Sequence, residues 1–254
     1  MADEVLVECA DGVTVITINR PEVRNAVNRA VSEGVAAALE EFESRADLAV
    51  AVITGAGGTF CSGMDLKAFV AGEKVSMPDR GFAGVTKAPP RKPLIAAVEG
   101  YALAGGCEIV LACDLVVAAD DARFGIPEVK RGLVAAAGGL IRLPRRIPYA
   151  VAMELALTGD FMSAADAHRY GLVNQVTARG GALGVAKELA ARIAANGPLA
   201  VAATKEIIVA SGDWTSDVAF DRQEAIVRPV FDSADAREGA VAFAEKRRPV
   251  WRGE

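Results

Sequence analysis

A chain of 254 residues, 52% hydrophobic and 24% charged, has the composition of a folded protein with a substantial core, and length for one large or two small domains. A formal charge of -5 and a pI near 5.2 exclude the basic excess by which a nucleic-acid binder meets phosphates. Apolar runs such as Leu48 to Ile53 and Leu94 to Val98 fall far short of the roughly 20 residues needed to span a membrane. The acidic start, Met-Ala-Asp-Glu, has neither the pattern of a secretory signal nor that of an Arg-rich transit peptide. The expectation is a cytoplasmic protein with no nucleic acid and no membrane among its partners.

The chain opens with apolar and polar residues alternating from Val5 to Cys9 and again from Val13 to Ile18, and Asp11-Gly12 between them is a hairpin turn pair. Val27, Val31, Val35, Leu39 and Phe42 then recur at i+4 and i+3 spacing, the stripe of an amphipathic helix. Leu48 to Thr54 is a continuous apolar run rich in Val and Ile, as in a strand buried on both faces. Together these predict a β-α-β unit. The pattern returns with a buried strand at Leu94 to Val98, a helix of small residues after Gly106 and a strand at Leu115 to Ala119. Helices dominate afterwards: Tyr149 to Leu157, Ala164 to Tyr170, Ala182 to Ala195 with Asn196-Gly197-Pro198 as its stop, Val201 to Ala210, and further segments to Lys246. A strand at Leu172 to Val176 is expected to close the sheet. The layout is an α/β core over 1–195 and a helical region over 196–254.

Candidate chemistry narrows by elimination. Cys9, Cys61, Cys107 and Cys113 are scattered without CxxC spacing, so neither a zinc site nor a disulfide framework is predicted, and no metal is expected. His168 is the single histidine and falls between a capping-box pattern, Ser163 with Asp166, and Gly171, which reads as a C-terminal cap. A helix-surface histidine leaves acid-base work to carboxylates or lysines. Gly55-Ala-Gly57-Gly58 follows a buried strand but fails the dinucleotide fingerprint, since Phe60 stands at the third glycine and no helix pattern follows. It reads as a turn.

Gly100-Tyr-Ala-Leu-Ala-Gly105-Gly106-Cys-Glu108 ends at the head of a helix, where free backbone N–H groups stabilise developing negative charge. Glu108 by itself reads as a glutamate favoured by the helix dipole. A second carboxylate, Glu128, follows twenty residues later in Phe124-Gly-Ile-Pro-Glu128. If successive strands of one sheet deliver both loops to one edge, the two carboxylates face one pocket, an arrangement for paired acid and base work.

Phe60-Cys-Ser-Gly-Met-Asp-Leu-Lys67, Gly100 to Glu108, Ala122-Arg-Phe-Gly-Ile-Pro-Glu128, Gly138-Gly139 and Phe243-Ala-Glu-Lys-Arg247 resemble the crotonase (enoyl-CoA hydratase/isomerase) superfamily in order and spacing. The resemblance runs from Asn19 to Lys246. It implies an α/β fold, the crotonase spiral of β-β-α units, with a C-terminal helical trimerisation region and a homotrimer or dimer of trimers. It implies an acyl-CoA thioester substrate, with coenzyme A part of that substrate and no separate cofactor. Met64 and Gly105 would donate the oxyanion-hole N–H groups; Met64, Asp65, Leu66 and Lys67, with Gly105, would line the CoA groove, and Phe243 and Lys246 would contact CoA, the last two serving a neighbouring subunit. Glu108 and Glu128 match the two glutamates of the hydratase members, Glu108 on water and Glu128 on the α-carbon. Departures are Ala104 in place of a frequent third glycine, Met64 in place of a frequent alanine, and Leu133-Val-Ala-Ala-Ala137 without Pro-Gly. Gly81-Phe-Ala-Gly84 and the ending are similar to members acting on a trimethylammonium acyl-CoA, an alternative that stays open beside isomerase and non-catalytic acyl-CoA-binding readings.

Overall fold

The computed structural model describes residues 3–254. The opening hairpin forms as the alternation predicts: β1 (Val5–Ala10) pairs antiparallel with β2 (Val13–Ile18) across Asp11-Gly12, both at positive φ. Helix α1 (Arg29–Ser44), capped by Asn28 Oδ1 on the Val31 N–H, returns the chain to β3 (Val50–Gly55), parallel to β2. β3 starts two residues after the predicted Leu48 and ends one residue after Thr54, with Leu48 packed into the core ahead of the ladder.

Past α2 (Leu66–Val70) and a two-residue ribbon, β4 (Ser76–Met77) with β5 (Gly81–Phe82), comes β6 (Leu94–Val98). Gly100, at φ 54°, then turns the chain out of the sheet into β7 (Tyr101–Leu103), which leads to α3 (Gly105–Ala112). β8 (Leu115–Ala119) is followed in the same way by β9 (Arg123–Gly125) and a short 3-10 turn, Pro127–Arg131. Next come α4 (Gly139–Arg146), α5 (Tyr149–Thr158), β10 (Met162–Ser163), α6 (Ala164–Arg169) and β11 (Gln175–Thr177). The predicted strand at Leu172 to Val176 thus starts later: Leu172 and Val173 are buried, but their N–H groups turn back to Ala167 O.

Six strands form the main sheet in the order β1-β2-β3-β6-β8-β11, parallel apart from the opening hairpin, and β10-β9-β7 form a second, smaller sheet. β6 and β8 are each followed by a short strand of the second layer, β7 and β9, and then by a helix or helical turn, which is the repeat of the β-β-α spiral. Period-two alternation splits the core: Val50, Val52, Ile95, Ala97 and Val117 face α7 (Ala182–Ala194), whose Ala182, Ala186 and Ala190 let the helix approach closely. Ala51, Ile53, Leu94, Ala96, Val98 and Val116 face α1, α3 and the second sheet. Glu99 fixes α7 by accepting the Gly180 and Ala182 N–H groups at its head.

The chain then bends by 108° into α8 (Pro198–Ser211), followed by α9 (Ala219–Phe231) and α10 (Ala234–Ala244). Lys205 ties α8 back to the core through Asp114 (2.6 Å) and Lys92 O (3.0 Å). The final residues fold onto α10, with Glu238 on Arg247 and Trp251 Nε1 on Ala195 O. No single helix among the described residues is long and apolar enough to cross a membrane.

Candidate active site

One row of backbone pairing organises the site. Cys61 pairs in parallel with Ala102, and Ala102 pairs in parallel with Phe124. The loop after β3 is therefore a third, minimal member of the second layer, held by Cys61 N–H on Tyr101 O and Leu103 N–H on Cys61 O. Counting three residues onward from each member of the row gives Met64, Gly105 and Pro127; a fourth gives Asp65, Gly106 and Glu128. Three helix heads thus converge at the same level. Neighbouring parallel strands of one sheet do deliver both loops, but they are β7 and β9 of the small sheet rather than the long strands Leu94 to Val98 and Leu115 to Ala119 that the sequence pattern marks. Three-residue strands are too short to announce themselves in the sequence pattern.

Gly105 and Gly106 are where close approach is required. A Cβ on Gly105 would collide with the Phe82 ring, and one on Gly106 would collide with Cys61 O. Gly105 opens α3, so its N–H has no intrahelical acceptor. Among the described residues neither the Met64 nor the Gly105 N–H donates to another protein group, while the flanking Gly63 O and Asp65 N–H are both taken by Val27.

Glu108 is 3% exposed. Its Oε1 accepts the Ala137 N–H (2.7 Å) and the Gly139 N–H (2.8 Å), and its second oxygen accepts nothing from the described residues. Burial pushes its pKa up, the two N–H groups pull it back in part, and the negative Glu128 nearby raises it further. Glu128 stands on the 3-10 turn with Oε2 buried and without a hydrogen-bond partner. Its pKa is also raised, chiefly by burial, against the opposing charge of Arg131. Two carboxylates that each keep an uncommitted oxygen and each resist ionisation are suited to passing protons.

The other predicted positions separate. Asp65 is occupied as the N-cap of α2, with Oδ1 on the Lys67 and Ala68 N–H groups and Oδ2 on Arg20 (3.1 Å). Leu66 and Lys67 stand exposed beside it. Phe243 is 87% exposed and Lys246 is exposed on or just past α10, which packs on α9 and on Trp251; the chain's own fold does not bring them to the glutamates. His168 is structural, its Nδ1 2.9 Å from Val173 O, and Ser163 caps α6 through the Asp166 N–H. The cysteines Cys61, Cys107 and Cys113 are buried, with burial pushing the Cys61 and Cys107 thiols up to about 12. Sequence reasoning gave Ala137, Gly139 and Arg142 no role at the site, although Gly138-Gly139 stands among its motifs and a Gly-Gly pair heading a helix is itself a signal of close backbone approach.

A two-layer β-β-α spiral whose helix heads converge beside a buried and a half-buried glutamate, both with pKa values raised by burial, is the architecture of an α/β enzyme. The chain belongs to the enoyl-CoA hydratase/isomerase family, whose model matches residues 8–254. An enoyl-CoA hydratase from Mycobacterium tuberculosis H37Rv is 61% identical, with 99% of this chain and 100% of that one covered and a TM-score of 0.98. A carnitinyl-CoA hydratase from Mycobacterium avium is 46% identical over 100% of both chains, with a TM-score of 0.80. The carnitinyl-CoA dehydratase of Proteus mirabilis (strain HI4320) is 41% identical over 249 residues, 94% of each chain.

Proposed function

We propose that the protein adds water across the 2,3 double bond of a 2-enoyl-CoA thioester. The observation that carries the reading is a pair of glutamates, Glu108 buried and Glu128 with Oε2 buried, each with one oxygen free of protein partners, on the helical turns that follow adjacent strands β7 and β9. Glu108, ionised, takes a proton from water as its oxygen bonds to the β-carbon. The electron pair moves through the α-carbon onto the thioester oxygen, where the Met64 and Gly105 N–H groups receive the charge; each such donor is worth ~2.7–4 kcal/mol. Glu128, protonated on Oε2, then delivers its proton to the α-carbon. Each hydration leaves Glu108 protonated and Glu128 ionised, so Glu108 releases its proton to solvent and Glu128 takes one up before the next turnover; the reverse reaction starts from the opposite protonation states. Leu66 and Lys67 are assigned to the CoA groove, and Phe243 and Lys246 to the CoA of a neighbouring copy. No separate cofactor or metal is assigned.

Hydration of a panel of short, long, aromatic and betaine-bearing 2-enoyl-CoAs, followed at the loss of the conjugated thioester absorbance, tests the reading. Glu108→Gln and Glu128→Gln should each lower turnover by ~10²–10⁴ while still binding a saturated acyl-CoA. Ordinary turnover in either variant would remove the two-glutamate mechanism. The curated relatives of carnitinyl-CoA dehydratase type support a second reading, a trimethylammonium acyl group, which the panel's betaine substrate decides.

A further inference from the structure

Arg142 is the one charged group of α4 within electrostatic reach of Glu108, and the sequence motifs assigned it nothing. Its backbone N–H binds Gly138 O at 2.9 Å, and its side chain folds over the same residue: a Cβ built on Gly138 would lie 3.4 Å from the guanidinium carbon and collide with Nη1. Gly138, at φ 101°, is the middle residue of Ala137-Gly138-Gly139, whose two outer N–H groups hold Glu108 Oε1. The guanidinium is partly buried and, among the described residues, has no carboxylate within ion-pair distance. A buried cation without a contact partner is costly unless a nearby anion uses its field.

We propose that Arg142 is a positioning residue of the active site, one that backs the Ala137-Gly138-Gly139 cradle and places a positive charge behind Glu108 as that residue serves as base towards water. This rests on the assignment of Glu108 as the base. The other groups facing Glu108 are Glu128 from the turn after β9, which opposes Arg142, and the neutral thiol of Cys107 on its own helix. Arg142 in turn faces Cys113 at the end of α3 and Arg146 one turn further along α4, and Arg146 is engaged by the carbonyls of Cys113 and Asp114. Neither supplies the anion that would make Arg142 a purely structural ion pair.

The sign follows directly. Hydration fails on the acid side once Glu108 holds a proton, and loss of a neighbouring cation makes it hold that proton to higher pH. The experiment is the pH profile of kcat/KM for crotonyl-CoA in the wild type, Arg142→Gln, Arg142→Met and Arg142→Lys. Either neutral variant should move the acid limb up by about 1 pH unit, so that kcat/KM falls about 10-fold on the acid side of the limb and little above it. Arg142→Lys should keep the limb within a few tenths of a unit while losing part of kcat, since an ammonium keeps the charge but not the planar backing of Gly138. Lower turnover at every pH with an unmoved limb in a folded neutral variant, or an equal limb shift in Arg142→Lys, overturns the proposal. Using two neutral variants of different shape guards against one that fails to fold, as judged by circular dichroism. A wild-type protein inactive on every enoyl-CoA of the panel would instead overturn the hydratase reading, a separate outcome.

Discussion

Glu108 combines two demands that conflict in an ordinary core. Its Oε1 is bound by two backbone donors as tightly as a structural carboxylate, yet the group is desolvated enough that its pKa stands above the ordinary 4.5. The folded state therefore binds this proton more strongly than the unfolded chain does. Stability contributed through Glu108 is greatest below the unfolded value and falls as pH rises through the folded one, because the charge is then forced into the interior. Glu108→Gln keeps an oxygen for both N–H donors and never carries that charge. Its thermal midpoint should equal or exceed that of the wild type at pH 8, and the difference should shrink towards pH 4.5. A variant less stable by the same margin at both pH values would mean that the hydrogen bonds to a full charge outweigh burial. That Glu108 does more than satisfy a helix dipole was legible only through its partner twenty residues on, since the Ala137 and Gly139 donors come from a distant segment with no periodic pattern.

At the scale of elements, the long pieces announced themselves. β6 runs over Leu94–Val98 and β8 over Leu115–Ala119, as the apolar runs predicted, and α7 stops at the Asn-Gly-Pro punctuation after Ala194. β7 and β9 did not, because a three-residue strand has no room for alternation and is fixed by its neighbours' pairing. Between β7 and α3 the turn itself holds tension. Ala104 sits at φ 51° and ψ -128°, with its methyl 2.8 Å from where a Cβ on Gly63 would be, and it does so immediately before the Gly105 N–H. A left-handed φ costs an L-residue about 1–2 kcal/mol, and glycine loses about 0.5–1 kcal/mol of that relief to its freer unfolded chain. Ala104→Gly should therefore raise stability modestly, by up to ~1 kcal/mol, seen as a rise in the thermal midpoint with turnover retained. A fall in the midpoint would mean that the methyl's packing over Gly63 matters more than the strain.

The whole molecule carries more apolar surface than one copy can cover. α8 and α9 contain no buried residue, although α8 is almost wholly apolar along its length. Ile208 is 69% exposed, Phe220 80%, Phe231 75% and Phe243 87%, all in the arm that leaves the core after the 108° bend. Lys205 on Asp114 fixes the angle of that arm, so the apolar residues are held out rather than loosely tethered. A surface of this kind is an association face, and the proposed homotrimer, or a dimer of trimers, would cover it while bringing Phe243 and Lys246 to another copy's thioester groove. Sedimentation should then give three or six copies, and Ile208→Glu with Phe220→Asp should lower the assembly state by placing charge where apolar contact is needed. The dissociated variant should lose affinity for acyl-CoA more than turnover at saturation, because Glu108 and Glu128 lie within the core of each copy. A monomeric wild type would end the assembly proposal, and a dissociated variant with unchanged KM would place Phe243 and Lys246 outside the CoA groove.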